Sequence, residues 1–408
     1  MHDTYCKRSK YELILRSFNH DVEAALCCKT QRPVSLFDKD KLEQIKIDLD
    51  NGIKSLNCGV CWRAEAKGEL SWRQIGNELE IPGKSIEIYF DNTCDQACIY
   101  CSPKYSSKWV QEIKYATEEN NKFLTKIIND KSFEPTPKQN HKQAIMHEVY
   151  EAGRTADDND SVAIILLGGE PLMSKQFSKV NLLEEIVTTF YKDAKDSVQL
   201  YVTLVTNANT SDAIIDATIE TANKLLEDYP QLDLVAQLSI ESTGANAEYV
   251  RYGLDYTQFQ KNLIKYFQSN IKIGFSMAIN TVSYFDTANF MQYVIDTCNK
   301  HDPLARTFFN FNIVDFPEFL SIKTLPKDYE YILDQCQKIC EKSYNSFYDV
   351  HFYNKILQQI EHARKKLGLK VDPKLYTLAG NYFDYIKNYR HLDLHDVNDE
   401  LCRIIGYE

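Results

Sequence analysis

Three cysteines within eight residues constrain this chain more than any other feature. The run Cys94-Asp95-Gln96-Ala97-Cys98-Ile99-Tyr100-Cys101 has C-x3-C-x2-C spacing and directly follows an apolar strand candidate, Ser85-Ile86-Glu87-Ile88-Tyr89-Phe90. Thiolates at this spacing can share one face of a loop and bind three corners of an iron–sulfur cube, leaving the fourth iron without a protein ligand. Closed clusters use four cysteines. A site short of one ligand keeps an open coordination position where chemistry can occur. A zinc knuckle or plain buried thiols are the alternatives, although zinc sites more often pair two C-x2-C units.

Composition narrows the class. The 408 residues suggest two domains or one large barrel with an appendage, and a 44% hydrophobic content supplies an ample core. No apolar run reaches the length of a membrane span, and Met1-His2-Asp3-Thr4-Tyr5-Cys6-Lys7-Arg8 lacks the apolar centre of a signal peptide. A cytoplasmic location without membrane contact is expected. Twelve cysteines then fit metal ligation better than a disulfide framework. The net charge of −11 disfavours binding to extended nucleic acid, which needs a basic surface to displace counterions.

A second cysteine set opens the chain. Glu12 to Phe18 and Val22 to Cys28 read as strands of a hairpin around Asn19-His20-Asp21, turn residues by chemistry. Cys6 precedes the hairpin, Cys27-Cys28 end it, a polar helix is expected from Asp38 to Asn51, and Cys58-Gly59-Val60-Cys61 follows. Folding that helix back would unite Cys6, one of Cys27 and Cys28, Cys58 and Cys61. A four-thiolate set of this kind suits an iron–sulfur cluster or zinc equally on coordination grounds.

From Ser85 onward apolar runs alternate with helical stretches: Ala163 to Leu167, Val198 to Val205, Leu234 to Ile240, Ile271 to Ile279 and Phe308 to Val314. This rhythm predicts an α/β fold with a parallel sheet. Residues 119–160 interrupt it with Asn120-Asn121, Pro135-Thr136-Pro137 and Asp157-Asp158-Asn159-Asp160, an insertion expected to be helical around Lys142 to Ala152. Residues 326–408 read as helical and amphipathic around Asp328 to Lys342 and Phe352 to Leu367. Cys336 and Cys340 share a helix face there and, with Cys298 and Cys402, are expected to be core thiols.

The cysteine run, with Tyr100 before its last thiol, resembles the signature of the radical S-adenosylmethionine (SAM) enzymes, whose open iron is chelated by SAM. Leu166-Leu167-Gly168-Gly169-Glu170-Pro171 is similar to that family's GGE motif, whose backbone and glutamate meet the SAM amino group. Thr206-Asn207 ends the third strand, where the family places polar residues near the ligand. Ser239 to Gly253 resembles the segment in which a serine bonds the ribose and an arginine, here Arg251, pairs with the SAM carboxylate. Glu241 stands where the family commonly has Asp. Tyr100 is expected near the adenine. The N-terminal pattern resembles a twitch (half-SPASM) module, in a group where that module comes first. Cys61-Trp62, Glu65, Gly68, Ser71 and Arg73 echo the same group's linker.

The resemblance implies three regions. Residues 1–80 would be a small hairpin-and-helix domain holding an auxiliary [4Fe–4S] cluster. Residues 81–325 would form a partial (β/α)6 barrel, and residues 326–408 a C-terminal helical extension. It also implies a reaction: a [4Fe–4S] cluster on Cys94, Cys98 and Cys101 reductively cleaves SAM to a 5′-deoxyadenosyl radical that abstracts hydrogen from a substrate. A low-potential flavodoxin- or ferredoxin-type donor would supply the electron, and the auxiliary cluster would take one from the substrate radical, serve as a conduit or only brace the fold. The substrate could be a peptide, a nucleotide or another small molecule, and polar Ser276, Asn280, Asn310 and Asn312 are candidates to touch it, with loop capping as their alternative role. A redox-neutral isomerase or epimerase, and a non-catalytic zinc-stabilised binding protein, are the competing readings.

Overall fold

The computed structural model describes residues 4–18, 21–68, 71–78, 83–128, 139–177, 181–301, 307–344 and 350–408. Asn19 and His20 of the expected turn, Pro135-Thr136-Pro137 of the insertion, the boundary near residue 80 and the first three residues lie outside this set. The strands are β1 (Glu12–Phe18), β2 (Asp21–Ala25), β3 (Val34–Ser35), β4 (Lys84–Tyr89), β5 (Ala97–Cys98), β6 (Ser161–Leu167), β7 (Gln199–Thr206), β8 (Leu232–Ser239), β9 (Arg251–Tyr252), β10 (Lys272–Ile279) and β11 (Thr307–Ile313). The chain divides into two units. The first holds residues Met1–Thr93, Phe133–Leu204 and Glu220–Val235, and the second Cys94–Ser132, Val205–Ile219 and Ala236–Glu408.

In the first unit the strand order is β8-β7-β6-β4-β1-β2-β3, β8 contributing its opening residues. β4, β6 and β7 run parallel. Their burial alternates because β side chains point to opposite faces. Ile86, Ile88, Val162, Ile164, Leu166, Leu200, Val202 and Leu204 are buried, while the intervening residues are more open. The helices Gln139–Arg154 and Leu182–Tyr191 pack on each other. They bury Ile145, Val149, Ile186, Val187 and Phe190, each apolar side chain worth about 1.5–3 kcal/mol. The expected hairpin forms, β1 pairing antiparallel with β2. Its β1 strand also joins β4 in parallel, Ile14 opposite Glu87 and Arg16 opposite Tyr89, so the hairpin extends the parallel sheet.

In the second unit the order is β11-β10-β8, with β8 represented by its closing residues. β10 and β11 are parallel in register from Ile273↔Thr307 to Ile279↔Ile313. Phe275 packs edge-on against Phe290 at 5.9 Å between ring centroids and tilted against Phe309 at 5.7 Å. Cys298, Cys336, Cys340 and Cys402 are all buried in this unit, as expected of core thiols. The C-terminal part is helical over Tyr331–Lys342, Val350–Lys366 and Lys374–Arg390. Among the described residues no helix is long and apolar enough to cross a membrane.

Candidate functional site

The loop carrying Cys94, Cys98 and Cys101 lies in the second unit and is fixed from three sides. Its β5 segment pairs antiparallel with β9, Ala97 opposite Tyr252 and Cys98 opposite Arg251, and Ile99 N–H donates to the Val250 carbonyl at 2.9 Å. Ser106 and Ser107, at the start of the helix Ser107–Tyr115, form the second side. Ser107 Oγ donates to the Cys94 carbonyl at 3.1 Å and accepts from the Cys94 N–H at 3.0 Å, while Ser106 Oγ donates to the Gln96 carbonyl at 2.5 Å. On the third side Asn207 Nδ2 and Asn209 Nδ2 hold the two oxygens of Asp95 at 2.7 and 3.3 Å. Thr206 Oγ1 accepts the Ala208 N–H at 3.1 Å, setting the turn that aims these amides.

The arrangement gathers charge around Cys98. Arg251, 5% exposed, reaches within 3.9 Å of Cys98 Sγ through Nη1. Its Nε donates to Glu241 Oε2 at 3.1 Å and its Nη2 meets the same oxygen. Tyr100 Oη donates to Glu241 Oε1 at 3.1 Å, and the Arg251 guanidinium stands 5.7 Å from the Tyr100 ring centroid. Tyr100 and Arg251 thus share Glu241 as a partner. Burial raises the Glu241 carboxyl above its ordinary range, while Arg251 and Tyr100 pull it back. Burial likewise pushes the Cys101 thiol up to about 12, with Cys98 as the next contributor. Ser239 ends β8, two residues before Glu241.

In the first unit, Gly168-Gly169-Glu170 runs on past the end of β6. Gly169 N–H donates to the Asp91 carbonyl at 3.2 Å and Glu170 N–H to the Thr93 carbonyl at 2.7 Å. Gly168 has φ +136°, and a Cβ on Gly169 would stand 2.2 Å from the Thr93 oxygen, so both positions need glycine. Glu170, 1% exposed, accepts the Leu172 N–H at 3.1 Å.

The N-terminal cysteines are also drawn together, and in the first unit. Cys6 and Cys58 each feel Cys27 and Cys61, and burial pushes their thiols up to about 11 and about 12. Cys6, Cys27 and Cys58 line one small cavity with Thr30 and Asn57. Cys28 is exposed and does not line that cavity. Beside that group Glu65 accepts from Ser71 Oγ at 2.6 Å and from Arg73 Nε at 2.9 Å. Arg73 continues to the Tyr5 carbonyl at 2.7 Å and lies 5.2 Å from the Trp62 ring. Gly68, with φ +74°, follows the helix Gly59–Ala66. Trp62, Glu65, Ser71 and Arg73, singled out in the sequence, are therefore one network.

Both thiol groups have the right donor chemistry for an iron–sulfur cluster or zinc. Neither is drawn in to ligating geometry, for among the described residues no three His, Cys, Asp or Glu side chains are arranged to hold a metal ion. The polar residues of β10 and β11 separate into two roles. Asn312 Nδ2 donates to Ser276 Oγ at 2.9 Å and Asn310 accepts from Gln359 at 2.5 Å. Asn280 is fully buried and caps its own loop, accepting from Val282 and Ser283 N–H at 3.0 and 3.2 Å.

Sequence reasoning missed Asp95, Asn209, Trp109, Glu112, Tyr382 and Arg390. Trp109 Nε1 donates to the Cys98 carbonyl at 2.9 Å, and Tyr382 Oη to the Ile99 carbonyl at 2.7 Å. The density of Tyr and Phe in Tyr376 to Tyr389 was the one available signal for the last two.

No protein-family model matches the chain, and no curated protein matches it. Among solved structures it is similar to one described as native anSMEcpe with bound AdoMet, at 14% identity and a TM-score of 0.40 over 64% of this chain and 61% of that one. Native anSMEcpe with bound AdoMet and Kp18Cys peptide matches at 14% identity and TM-score 0.40, covering 64% and 60%. The complex with Cp18Cys peptide matches at 13% identity and TM-score 0.38, covering 68% and 61%. The chain spans about three fifths of the length of these structures.

Proposed function

We propose that this chain is a radical SAM enzyme in which Cys94, Cys98 and Cys101 hold a [4Fe–4S] cluster and Cys6, Cys27, Cys58 and Cys61 hold a second. One observation carries the reading. Two motif segments far apart in sequence meet at the cysteine loop, where Arg251 approaches Cys98 Sγ at 3.9 Å across 153 residues. A chance C-x3-C-x2-C run has no reason to pair its backbone with the one arginine the same signature requires.

When bound, the cluster and SAM supply one-electron reduction and the means to remove a hydrogen atom from a substrate. The chain's own residues bind and orient. Arg251 offers a guanidinium for the SAM carboxylate, and Glu241 and Tyr100 fix its direction. The backbone carbonyls of Gly168 and Gly169 and the Glu170 carboxylate offer acceptors for the amino group, and Thr206, Asn207 and Ser239 give polar contacts. Ser276, Asn310 and Asn312 are proposed to meet the substrate. The four thiols of the N-terminal set favour net oxidation, with an electron leaving through the second cluster, over a redox-neutral isomerisation. A low-potential flavodoxin- or ferredoxin-type protein is the proposed donor, in a reducing compartment such as the cytoplasm, where thiols stay available to metals.

The test is reductive SAM cleavage. Anaerobically reconstituted, dithionite-reduced protein is expected to release 5′-deoxyadenosine, and Cys98→Ala to release none. No release from wild type carrying its full iron would refute the assignment.

A further inference from the structure

In the first unit β1 and β4 present two faces. Ser17 Oγ lies 3.1 Å from His141 Nδ1 on the helix Gln139–Arg154, so Leu13, Leu15 and Ser17, with Ile86 and Ile88 beside them, form the face toward that helix. Arg16 is on the opposite face, which it shares with Glu87 and Tyr89 of β4. It is only 7% exposed, and its Nε is buried without a hydrogen-bond partner. The guanidinium stands 5.5 Å from the Tyr89 ring centroid, and among the described residues it enters no hydrogen bond or ion pair. Arg73, Arg251 and Arg390 are also buried, and each holds a carboxylate, that of Glu65, Glu241 and Glu112 respectively. Arg16 holds none.

A buried cation with nothing to bond is costly, and the carboxylates on its own face do not answer it. Glu23 stands directly opposite Arg16 in the hairpin, yet the two form no ion pair. Burial, then Glu12, raise the Glu87 carboxyl to about 7, so near neutrality it keeps much of its proton and offers a donor as well as an acceptor. The place of Arg16 in the sheet gives its donors a use. Arg16 is in register with Tyr89, and Tyr89 with Leu167, the residue before Gly168-Gly169. Two strand spacings, roughly 10 Å, separate the main chains of Arg16 and Leu167. β1, β4 and β6 run parallel, so this row lies toward their carboxyl ends, where open α/β sheets take their ligands. A guanidinium there is a fork for a carboxylate or a phosphate.

We propose that Arg16 is a specificity-determining residue whose guanidinium receives an oxyanion of the substrate, a carboxylate or a phosphate, at the carboxyl ends of β1, β4 and β6. The inference rests on the proposed radical SAM reading and narrows its substrate to an anionic compound. The SAM carboxylate stays with Arg251, in the second unit.

The experiment is calorimetric titration of the reconstituted full chain, with SAM present, by inorganic phosphate and separately by acetate, at an ionic strength held constant with chloride. Wild type is expected to bind at least one of them saturably. Tighter phosphate marks a phosphorylated substrate, and tighter acetate a carboxylic acid. Arg16→Gln is expected to weaken that binding about tenfold or more while keeping the wild-type affinity for SAM. No saturable binding to wild type, unchanged binding in Arg16→Gln, or a matching loss of SAM affinity overturns the proposal. Should Arg16→Gln fail to fold, Arg16→Lys, which keeps the charge and loses the fork, is titrated instead, with weaker binding expected and unchanged binding overturning the role. Release of 5′-deoxyadenosine reports separately. Wild type that binds the anion but cleaves no SAM sinks the radical SAM reading, whereas wild type that cleaves SAM but binds neither anion sinks the role of Arg16 alone.

Discussion

Arg251 donates through Nε and Nη2 to one oxygen of Glu241 while its Nη1 lies 3.9 Å from Cys98 Sγ. One guanidinium thus links a strand-end carboxylate to the cysteine loop. Breaking a buried pair by removing one partner costs about 3–5 kcal/mol, but the two partners are not equivalent. Glu241, already raised by burial, can take up a proton when left alone, and an arginine cannot release one. Glu241→Gln is therefore expected to destabilise the chain more than Arg251→Met does at neutral pH. Urea unfolding of both variants measures this, and the reverse order would contradict the ion-pair account.

Backbone packing makes the second prediction. A Cβ on Gly169 would meet the Thr93 oxygen at 2.2 Å and the Asn92 carbonyl carbon at 2.6 Å, both main-chain atoms. Main chain cannot rotate aside. Gly169→Ala is expected to cost about 1–3 kcal/mol through strain and to abolish SAM binding, read by calorimetric titration, while Gly68→Ala, strained by its φ of +74° but meeting no neighbouring atom, lowers stability and leaves binding intact.

The N-terminal thiols make the third. Cys27 lines one cavity with Cys6 and Cys58, and the exposed Cys28 does not. Cys27→Ala is expected to lose about four irons per chain, one cluster's worth, and Cys28→Ala none. Equal losses would contradict the choice of Cys27.

A pH effect follows from Glu87. Burial, then the neighbouring Glu12, raise its carboxyl to about 7 against an ordinary 4.5, with Arg16 and Arg8 opposing. The folded chain then holds a proton that the unfolded chain has released, so stability falls as pH rises between about 4.5 and about 7. In metal-free protein, Glu87→Gln is expected to flatten that fall. A variant whose stability curve parallels wild type across this window would contradict the assignment.

Much of this was legible in the sequence, for a physical reason. The strands β6, β7 and β8 declare themselves as short, mainly apolar runs set between helical stretches. The cysteine loop is legible because its three thiols fall within one short segment. Gly168-Gly169 is legible because close backbone approach admits no side chain. What escaped depends on distant pairing. Tyr385 and Glu112 meet across 273 residues and Tyr382 and Ile99 across 283. The amphipathic pattern of Lys374–Arg390 says that one face is buried without saying against what. The apolar Leu13-Ile14-Leu15 run in β1 likewise marks a strand, yet not that β4 would be its parallel neighbour.

The central claim is two clusters on two separate cysteine sets. Iron and acid-labile sulfide counted per chain after anaerobic reconstitution test it most directly, in wild type and in Cys94→Ala/Cys98→Ala/Cys101→Ala. Two [4Fe–4S] clusters predict about eight irons in wild type and about four in the variant. About four in wild type and none in the variant would contradict the second cluster and leave the N-terminal thiols to zinc or to the fold alone.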